Sequence, residues 1–239
     1  MIDSVIFAFG YKQRSGKDTA VAEIIKRRGL NAPTEDCNAG STCVCQDRYD
    51  IRRYSFASAL KREVNAAAVS AGGMENLFKP NHRFAMCKGY YTDFPDWVQY
   101  DPNAPMDDPM CPLGKQRSLL QWWGGDFRRS QDSEYWVRQL AQQIELEKPQ
   151  LALISDLRYL NEFHFCKEYG EVVKVERLGI PQGTHSSEVE LDSVSDEEWS
   201  IILENNGTLE EFLEGAVTTF DELLTHFPFG ANRVAVKGA

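Results

Sequence analysis

The sequence of 239 residues predicts an α/β fold in which a doubly wound, mostly parallel sheet is flanked by helices. A β-branched and aromatic run, residues 4–9 (SVIFAF), ends at a glycine-containing loop and is followed by a helical pattern. Strand-like and helix-like segments then alternate along the chain, as in parallel α/β folds. Hydrophobic residues make up 42% of the chain and charged residues 26%, proportions that fit a globular protein with its own core.

Periodicity and turn residues place the elements. After the first strand, apolar residues recur at helical spacing from Asp18 to Arg28, and Gly29 ends that helix. Further strands are predicted at residues 51–57, 150–155, 171–176 and 199–203, and further helices at residues 58–70, 132–147, 159–169 and 208–224. A capping box of Thr208 and Glu211 opens the last helix. Residues 117–130 look helical only as far as Gly124-Gly125.

The domain organisation follows from length and composition. A chain of this size can bury one core, so we expect a single domain over residues 1–239. Residues 31–50 are polar and rich in turn-forming residues, so we expect a loop between the first helix and the second strand. Residues 72–116 hold six of the ten prolines and predict a long irregular insertion that serves a substrate. A polar stretch at about residues 178–198 is interpreted as a lid.

Charge and hydropathy limit the classes of partner. A formal net charge of -10 disfavours a large nucleic-acid surface, which draws on many cations on one face. No apolar run approaches the length of a membrane span. The N-terminal MIDSVIFAFG has no basic leader and is interpreted as a core strand. We therefore expect a cytoplasmic protein that binds small molecules and neither nucleic acid nor membrane.

Six cysteines are present, and in a cytoplasmic protein we interpret them as free thiols. Cys37, Cys43 and Cys45 lie close together in the sequence, but no nearby histidine completes a four-ligand zinc site.

The segment FAFGYKQRSGKDT, residues 7–19, carries the strongest chemical signal. A chain that bends between a strand and a helix aims several backbone N–H groups at one point, where phosphate binds. Lys17 would reach the outer phosphates, and Asp18 or Thr19 would help to hold Mg²⁺. The standard phosphate-loop pattern has a glycine five residues before Gly16, where this chain has Tyr11. The nearest glycine, Gly10, lies one position earlier.

A second signal is Asp156-Leu157-Arg158, at the end of a predicted apolar strand. A carboxylate there can meet the magnesium of a bound nucleotide. The alternative is an aspartate that only caps the next helix.

Basic residues cluster around the predicted loops. One guanidinium group can donate two parallel hydrogen bonds to two oxygens of a phosphate group. They are Arg52, Arg53, Lys61, Arg62, Arg117, Arg128, Arg129 and Arg177. Arg128 is favoured because it follows Gly124-Gly125. No evident general base accompanies them, which favours an acceptor that is already an anionic phosphate.

Two further features leave alternatives open. Trp122 and Trp123 could stack on a base, although tandem tryptophans on a helix more often enter the core. His185 could sit on the lid over the phosphates, or have no specific task.

Several segments together resemble one family. They are GYKQRSGKDT at 10–19, SFASALK at 55–61, LLQWWGGDFRR at 119–129, YWV at 135–137, SDLRYLNE at 155–162, HSSE at 185–188 and NNGTLEE at 205–211. The chain is similar over most of its length to the bacteriophage deoxynucleoside monophosphate kinases, a branch of the P-loop nucleoside monophosphate kinases.

The resemblance implies transfer of the γ-phosphoryl group of ATP, with Mg²⁺, to a deoxynucleoside monophosphate for phage DNA synthesis in the host cytoplasm. Gly16, Lys17, Asp18 and Thr19 match the ATP and magnesium loop of that family, and we expect ATP contacts from Gly10, Arg14 and Ser15 as well. Metal ligands would be Asp18, Thr19 and Asp156. Acceptor contacts would come from Lys61, Arg128, Arg129, Asp156 and His185, and catalytic contacts from Lys17, Arg128, Asp156 and Arg158. A homodimer is left open.

Two other functions remain open at this stage. One is a P-loop kinase for another small acceptor, such as a nucleoside, a sugar or a cofactor precursor. The other is a nucleotide-binding regulator without catalysis.

Overall fold

The computed structural model describes residues 2–30, 49–79, 84–86, 89–91, 94–180 and 186–227. In chain order its helices and strands are β1 (Val5–Gly10), α1 (Lys17–Arg28), β2 (Ile51–Tyr54), α2 (Ala57–Ser70), α3 (Met74–Leu77), β3 (Phe84–Met86), β4 (Gly89–Tyr91), α4 (Arg117–Gln121), a π-helix (Trp122–Arg129), α5 (Tyr135–Glu147), β5 (Leu151–Leu157), α6 (Leu160–Tyr169), β6 (Gly170–Glu176), α7 (Ser186–Val189), β7 (Ile201–Glu204) and α8 (Leu209–Leu224). Two 3₁₀ turns, Glu190–Ser193 and Asp196–Glu198, lie between α7 and β7.

The chain divides into two compact units. Unit 1 comprises residues 1–55 and 141–239, and unit 2 comprises residues 56–140. The predicted insertion at 72–116 lies inside unit 2. The single domain and the lid stay predictions.

The sheet of unit 1 has five strands in the order β2-β5-β1-β6-β7. Every neighbouring pair of strands is parallel. The predicted α/β fold with a parallel sheet flanked by helices is therefore confirmed. Because β1 is the central strand, the loop that follows it emerges at the middle of the carboxyl edge, where parallel sheets bind ligands.

Both faces of β1 are buried. Phe7 and Phe9 pack with α1 and α8 in one cluster, in which Phe7 meets the ring of Phe220 edge-on at 5.5 Å between centroids. Ile6 and Ala8 point the opposite way and are equally inaccessible. Helix α6 contacts β1 and β6 through residues outside the first cluster. A strand buried on both sides explains the continuous apolar run in its sequence.

The ends of the flanking helices follow local rules. α1 ends where its last turn carries Lys26, Arg27 and Arg28, cations that suit the negative end of a helix dipole. α8 opens with the predicted capping box, in which Thr208 and Glu211 bond each other's backbone N–H groups.

Unit 2 has its own apolar cluster, built from α2, α3, α4, the π-helix, α5 and Val98. Trp122 and Trp123 are both buried in it, so the core interpretation of the tandem tryptophans is confirmed. β3 and β4 form an antiparallel hairpin. The prediction that the helix ends at Gly124-Gly125 is wrong, because α4 continues through both glycines as a π-helix.

Among the described residues, no helix combines the length and the apolar character needed to cross a membrane.

Candidate functional site

The loop between β1 and α1 starts from a position fixed by the sheet register. Gly10, the last residue of β1, lies opposite Leu157 of β5 and Lys174 of β6. The side chains that end these neighbouring strands are therefore brought to the loop by backbone pairing.

Three residues of the loop have left-handed backbone conformations: Tyr11 with φ 89°, Arg14 with φ 63° and Gly16 with φ 109°. Such angles are uncommon for residues with a Cβ atom and often mark functional loops. At Gly16 a Cβ atom would lie 2.6 Å from Asn205 Nδ2 and 2.9 Å from the Phe212 ring. Gly16 brings no side chain to the start of α1, so the first N–H groups of the helix are left for another acceptor.

Lys17, the first residue of α1, is only 5% exposed. Its ammonium group donates to the carbonyl oxygens of Tyr11, at 3.4 Å, and of Lys12, and lies 3.4 Å from Ser15 Oγ. Ser15 is fully buried, whereas Arg14 is exposed. The loop thus curls around the lysine that the sequence predicts to bind phosphate.

Asp18 and Thr19 are exposed on the first turn of α1. Asp18 Oδ1 accepts a hydrogen bond from Ser155 Oγ of β5 at 2.7 Å and another from the guanidinium group of Arg53 of β2. Arg53 also donates to Ser155 Oγ at 3.1 Å. The start of α1 is therefore tied to the carboxyl ends of the two strands on one side of β1.

Asp156 lies in an irregular part of β5. Ala8 pairs with Ile154 but Gly10 pairs with Leu157, so two residues of β5 oppose one residue of β1. Such a bulge redirects side chains and is frequent next to functional sites. Asp156 Oδ2 accepts from Ser55 Oγ at 2.6 Å. Asp156 is thus part of the strand and does not follow it.

Arg158 follows β5, and its backbone N–H donates to Glu162 Oε2 at 2.9 Å. Glu162, only 2% exposed, also accepts from the N–H of Tyr159 at 3.2 Å. The carboxylate that caps α6 is therefore Glu162, which bonds the backbone N–H of the N-cap residue Tyr159, and Asp156 is not the cap.

Two residues next to the loop were missed by sequence reasoning. Asn205, just after β7, donates from Nδ2 to the carbonyl oxygen of Ser15 at 2.7 Å. Lys174 lies with its ammonium group 4.5 Å from the centre of the Tyr11 ring. The motif NNGTLEE contains Asn205, but only the fold reveals its partner. In the sequence Lys174 is a single lysine in an apolar strand, and nothing there marks it as a neighbour of the loop.

Lys174 is 6% exposed and bonds Asp196 Oδ1 at 2.5 Å and Glu176 Oε1 at 2.7 Å. Burial by itself lowers the pKa of Lys174, but the hydrogen bonds that the ammonium group donates to the two carboxylates outweigh that effect and leave the pKa above its ordinary value. Lys174 is therefore a cation at neutral pH.

In unit 2, Lys61 forms an ion pair with Asp108, 2.9 Å from Nζ to Oδ2. Burial alone raises the pKa of Asp108, but Lys61 and the N–H of Met110 bond the carboxylate and hold the pKa below its ordinary value. The lysine that the sequence assigns to monophosphate binding is thus paired with a carboxylate within its own unit.

Arg128 is 7% exposed, and its Nε and Nη2 atoms donate to Glu63 Oε2 at 3.0 Å and 2.8 Å. Trp123 Nε1 donates to the same oxygen at 3.1 Å, and the Tyr135 hydroxyl donates to Oε1. In an α-helix residues five apart point roughly 140° away from each other. The π-helix brings Trp123 and Arg128 onto one side.

The remaining predicted residues are placed as follows. Arg129 makes a long contact of 3.4 Å to the carbonyl of Ser133. His185 and the cluster of Cys37, Cys43 and Cys45 lie outside the described residues. Within the described part of the chain, Cys111 and Cys166 are free and buried, and no group of three or more His, Cys, Asp or Glu side chains could hold a metal ion.

A parallel α/β sheet whose central strand runs through a tight loop into a helix that starts with a buried lysine defines the class of P-loop α/β proteins. No family model matches the chain. A protein of Acanthamoeba polyphaga mimivirus described as "Putative deoxynucleotide monophosphate kinase" is 39% identical over 123 residues.

The aligned part covers 44% of this chain and 61% of the viral relative. The chain therefore spans about three fifths of the length of the curated relative that it matches. The resemblance predicted from the motifs is confirmed as homology to this viral protein.

Proposed function

We propose that the protein is a nucleotide kinase that transfers the γ-phosphoryl group of ATP to deoxynucleoside monophosphates. The observation that carries the proposal is the phosphate loop: Gly16 in a left-handed conformation is followed by the buried Lys17 at the start of α1. The description of the viral relative supports the choice of acceptor.

The ATP phosphates lie at the loop formed by residues 10–19, where N–H groups of α1 and Lys17 meet them. The Lys17 ammonium group donates to loop carbonyls. With ATP bound it donates to phosphate oxygens, which carry more negative charge and form stronger bonds with a cation.

Mg²⁺, when bound, supplies neutralisation of phosphate charge during transfer. Asp18, Thr19 and Asp156 offer the oxygen ligands that this ion prefers. Ser155 and Arg53 orient Asp18, and Ser55 orients Asp156, through the hydrogen bonds described above. Arg158 stabilises charge on the transferring group.

We assign binding of the acceptor to Lys61, Arg128, Arg129, Asp156 and His185. Lys61 and Arg128 are each paired with a carboxylate, which fixes the position of both cations. A monophosphate is anionic at neutral pH, so its attack on the γ-phosphorus requires positioning and charge neutralisation and no strong general base.

The test is a coupled assay of ADP release with a panel of ribo- and deoxyribonucleoside monophosphates, free nucleosides and sugars. We expect turnover with deoxynucleoside monophosphates in the wild type and a loss of about 100-fold to 1,000-fold in Lys17→Ala, the size of other lost charge-stabilising contacts. Lys26→Ala is the matched control, because Lys26 lies on the same helix, has a side chain 68% exposed and forms its ion pair with Glu23.

Turnover only with nucleosides or only with sugars would show that the acceptor is that compound and not a deoxynucleoside monophosphate. ATP binding without turnover on any acceptor would identify a regulator and contradict the proposal.

A further inference from the structure

Tyr11 is the residue by which this loop departs from the standard pattern. It has φ 89°, an angle that a residue with a Cβ atom adopts only at a cost in free energy. Lys17 donates to the carbonyl oxygens of Tyr11 and of the next residue, Lys12. Whatever holds Tyr11 therefore also holds the acceptors that position Lys17.

The Tyr11 ring is held by two cations. The ammonium group of Lys174 lies 4.5 Å from the ring centre, and that of Lys12 lies 4.8 Å from it. A cation within about 6 Å of an aromatic ring centre is attracted by the electrons of the ring, and more strongly where water is excluded. Lys174 is buried, so its interaction with the ring is the better shielded one.

Lys174 is fixed from three directions. The register of β6 against β1 puts it beside Gly10, the residue before Tyr11. Glu176 of the same strand and Asp196 of a 3₁₀ turn bond its ammonium group. That turn is itself closed by a capping box of Ser195 and Glu198. These contacts hold the ammonium group of Lys174 over the ring.

We infer that Lys174 is a positioning residue of the phosphate loop and acts through the ring of Tyr11. Lys174 keeps the left-handed backbone of Tyr11 in place, and this backbone presents the carbonyl groups that hold Lys17 ready for phosphate. The inference rests on the proposed function, because it takes the loop to be the ATP site.

The experiment is a calorimetric titration of ATP into four proteins: the wild type, Lys174→Met, Tyr11→Gly and the double variant. Methionine is unbranched and one atom shorter than lysine, and it removes the charge. Asp196 and Glu176 keep contact with solvent, with side chains 66% and 38% exposed, so they tolerate the loss of their partner. Glycine at position 11 adopts φ 89° without strain and has no ring to hold.

We expect Lys174→Met to weaken ATP binding by about threefold to thirtyfold, the range of a cation–ring interaction expressed as affinity. In the Tyr11→Gly background the same substitution changes ATP affinity by less than about twofold, since the ring through which Lys174 acts is gone. Lys174→Arg keeps a cation over the ring and restores binding. Lys26→Met is the control, because it removes the charge of an exposed lysine on α1 whose ion pair is with Glu23.

The outcomes separate the inference from the function. A wild type that binds no ATP contradicts the proposed function, and the inference fails with it. Equal weakening by Lys174→Met in both backgrounds means that Lys174 acts by its charge alone and overturns the inference while the function stands. If Lys174→Met does not fold, Lys174→Arg still tests the inference. Weaker ATP binding by Lys174→Arg than by the wild type, with an unchanged melting temperature, overturns the inference.

Discussion

Asn205 and Ser15 lie 190 residues apart in the sequence, and the Asn205 amide donates to the Ser15 carbonyl oxygen at 2.7 Å. Ser15 is fully buried. If the Asn205 amide were removed, the Ser15 carbonyl oxygen would lose a hydrogen bond that water cannot easily replace. The hydrogen bond ties the end of β7 to the loop and belongs to the architecture of the proposed ATP site.

We predict that Asn205→Ala lowers the free energy of unfolding by about 1 kcal/mol, the usual contribution of one such hydrogen bond, and also weakens ATP binding. The control is Asn206→Ala, which removes a similar bond of 2.8 Å from the N–H of Leu178 to Asn206 Oδ1. Urea unfolding and ATP titration of both variants measure the effects. Equal losses of ATP affinity in the two variants would contradict a specific role of Asn205.

Gly16 gives a second prediction. Its φ of 109° and the closeness of Asn205 and Phe212 leave no room for a Cβ atom. Gly179 also has a positive φ, 75°, but a Cβ atom there would meet nothing within 4 Å. Both alanine variants carry the cost of a left-handed residue, about 1–2 kcal/mol.

Gly16→Ala should cost a further 1 to 3 kcal/mol, roughly, because the loop or its neighbours must shift. Thermal or urea unfolding of Gly16→Ala and Gly179→Ala gives the difference directly. Equal stability of the two variants would show that the loop adapts to the added methyl group without strain.

Much of this fold was predictable because the signals are local. The strand of residues 4–9, the helix from Asp18 to Arg28 and the capping box of Thr208 and Glu211 each depend on residues a few positions apart. These elements were found close to where the sequence predicts them.

Features that depend on distant partners were not predictable. Gly124-Gly125 would end a helix by propensity, yet the buried tryptophans and the Glu63–Arg128 pair keep the chain helical through both glycines. The bulge at Asp156 depends on the register of β5 against β1. The contact of Lys174 with Tyr11 likewise depends on strand order.

The Glu63–Arg128 pair of unit 2 gives a third prediction. Arg128 is buried, so removal of Glu63 leaves a cation with little access to water. Glu63→Ala should lower the free energy of unfolding by about 3 kcal/mol. Glu75→Ala, which removes an exposed pair with Lys79 in the same unit, should change it by less than about 1 kcal/mol.

The double variant Glu63→Ala/Arg128→Met distinguishes the cause. If the cost of Glu63→Ala comes from the unpaired guanidinium group, the double variant is less destabilised than the sum of the two single variants. Additive losses, measured by urea unfolding, would mean that Glu63 acts through Trp123 and Tyr135 and not through Arg128.

The capping box of α8 gives a pH prediction. Glu211 Oε2 accepts from the Thr208 backbone N–H at 2.7 Å and from its hydroxyl at 2.9 Å. These bonds favour the charged carboxylate, so the pKa of Glu211 lies below its ordinary value in the folded protein. A group with a lowered folded pKa contributes stability above its unfolded pKa and loses it as the pH falls through the folded pKa.

Glu211→Gln keeps an oxygen that can accept from Thr208 but carries no charge. We expect the wild type to be more stable than Glu211→Gln at pH 7, and the difference to shrink as the pH is lowered from about 5 towards 3, as the carboxylate takes up its proton. Urea unfolding of both proteins across this range measures the difference.

Glu210→Gln controls for charge at the start of α8, since Glu210 lies on the same first turn. A difference between the wild type and Glu211→Gln that stays constant from pH 7 to pH 3 would show that the carboxylate charge contributes nothing to the cap.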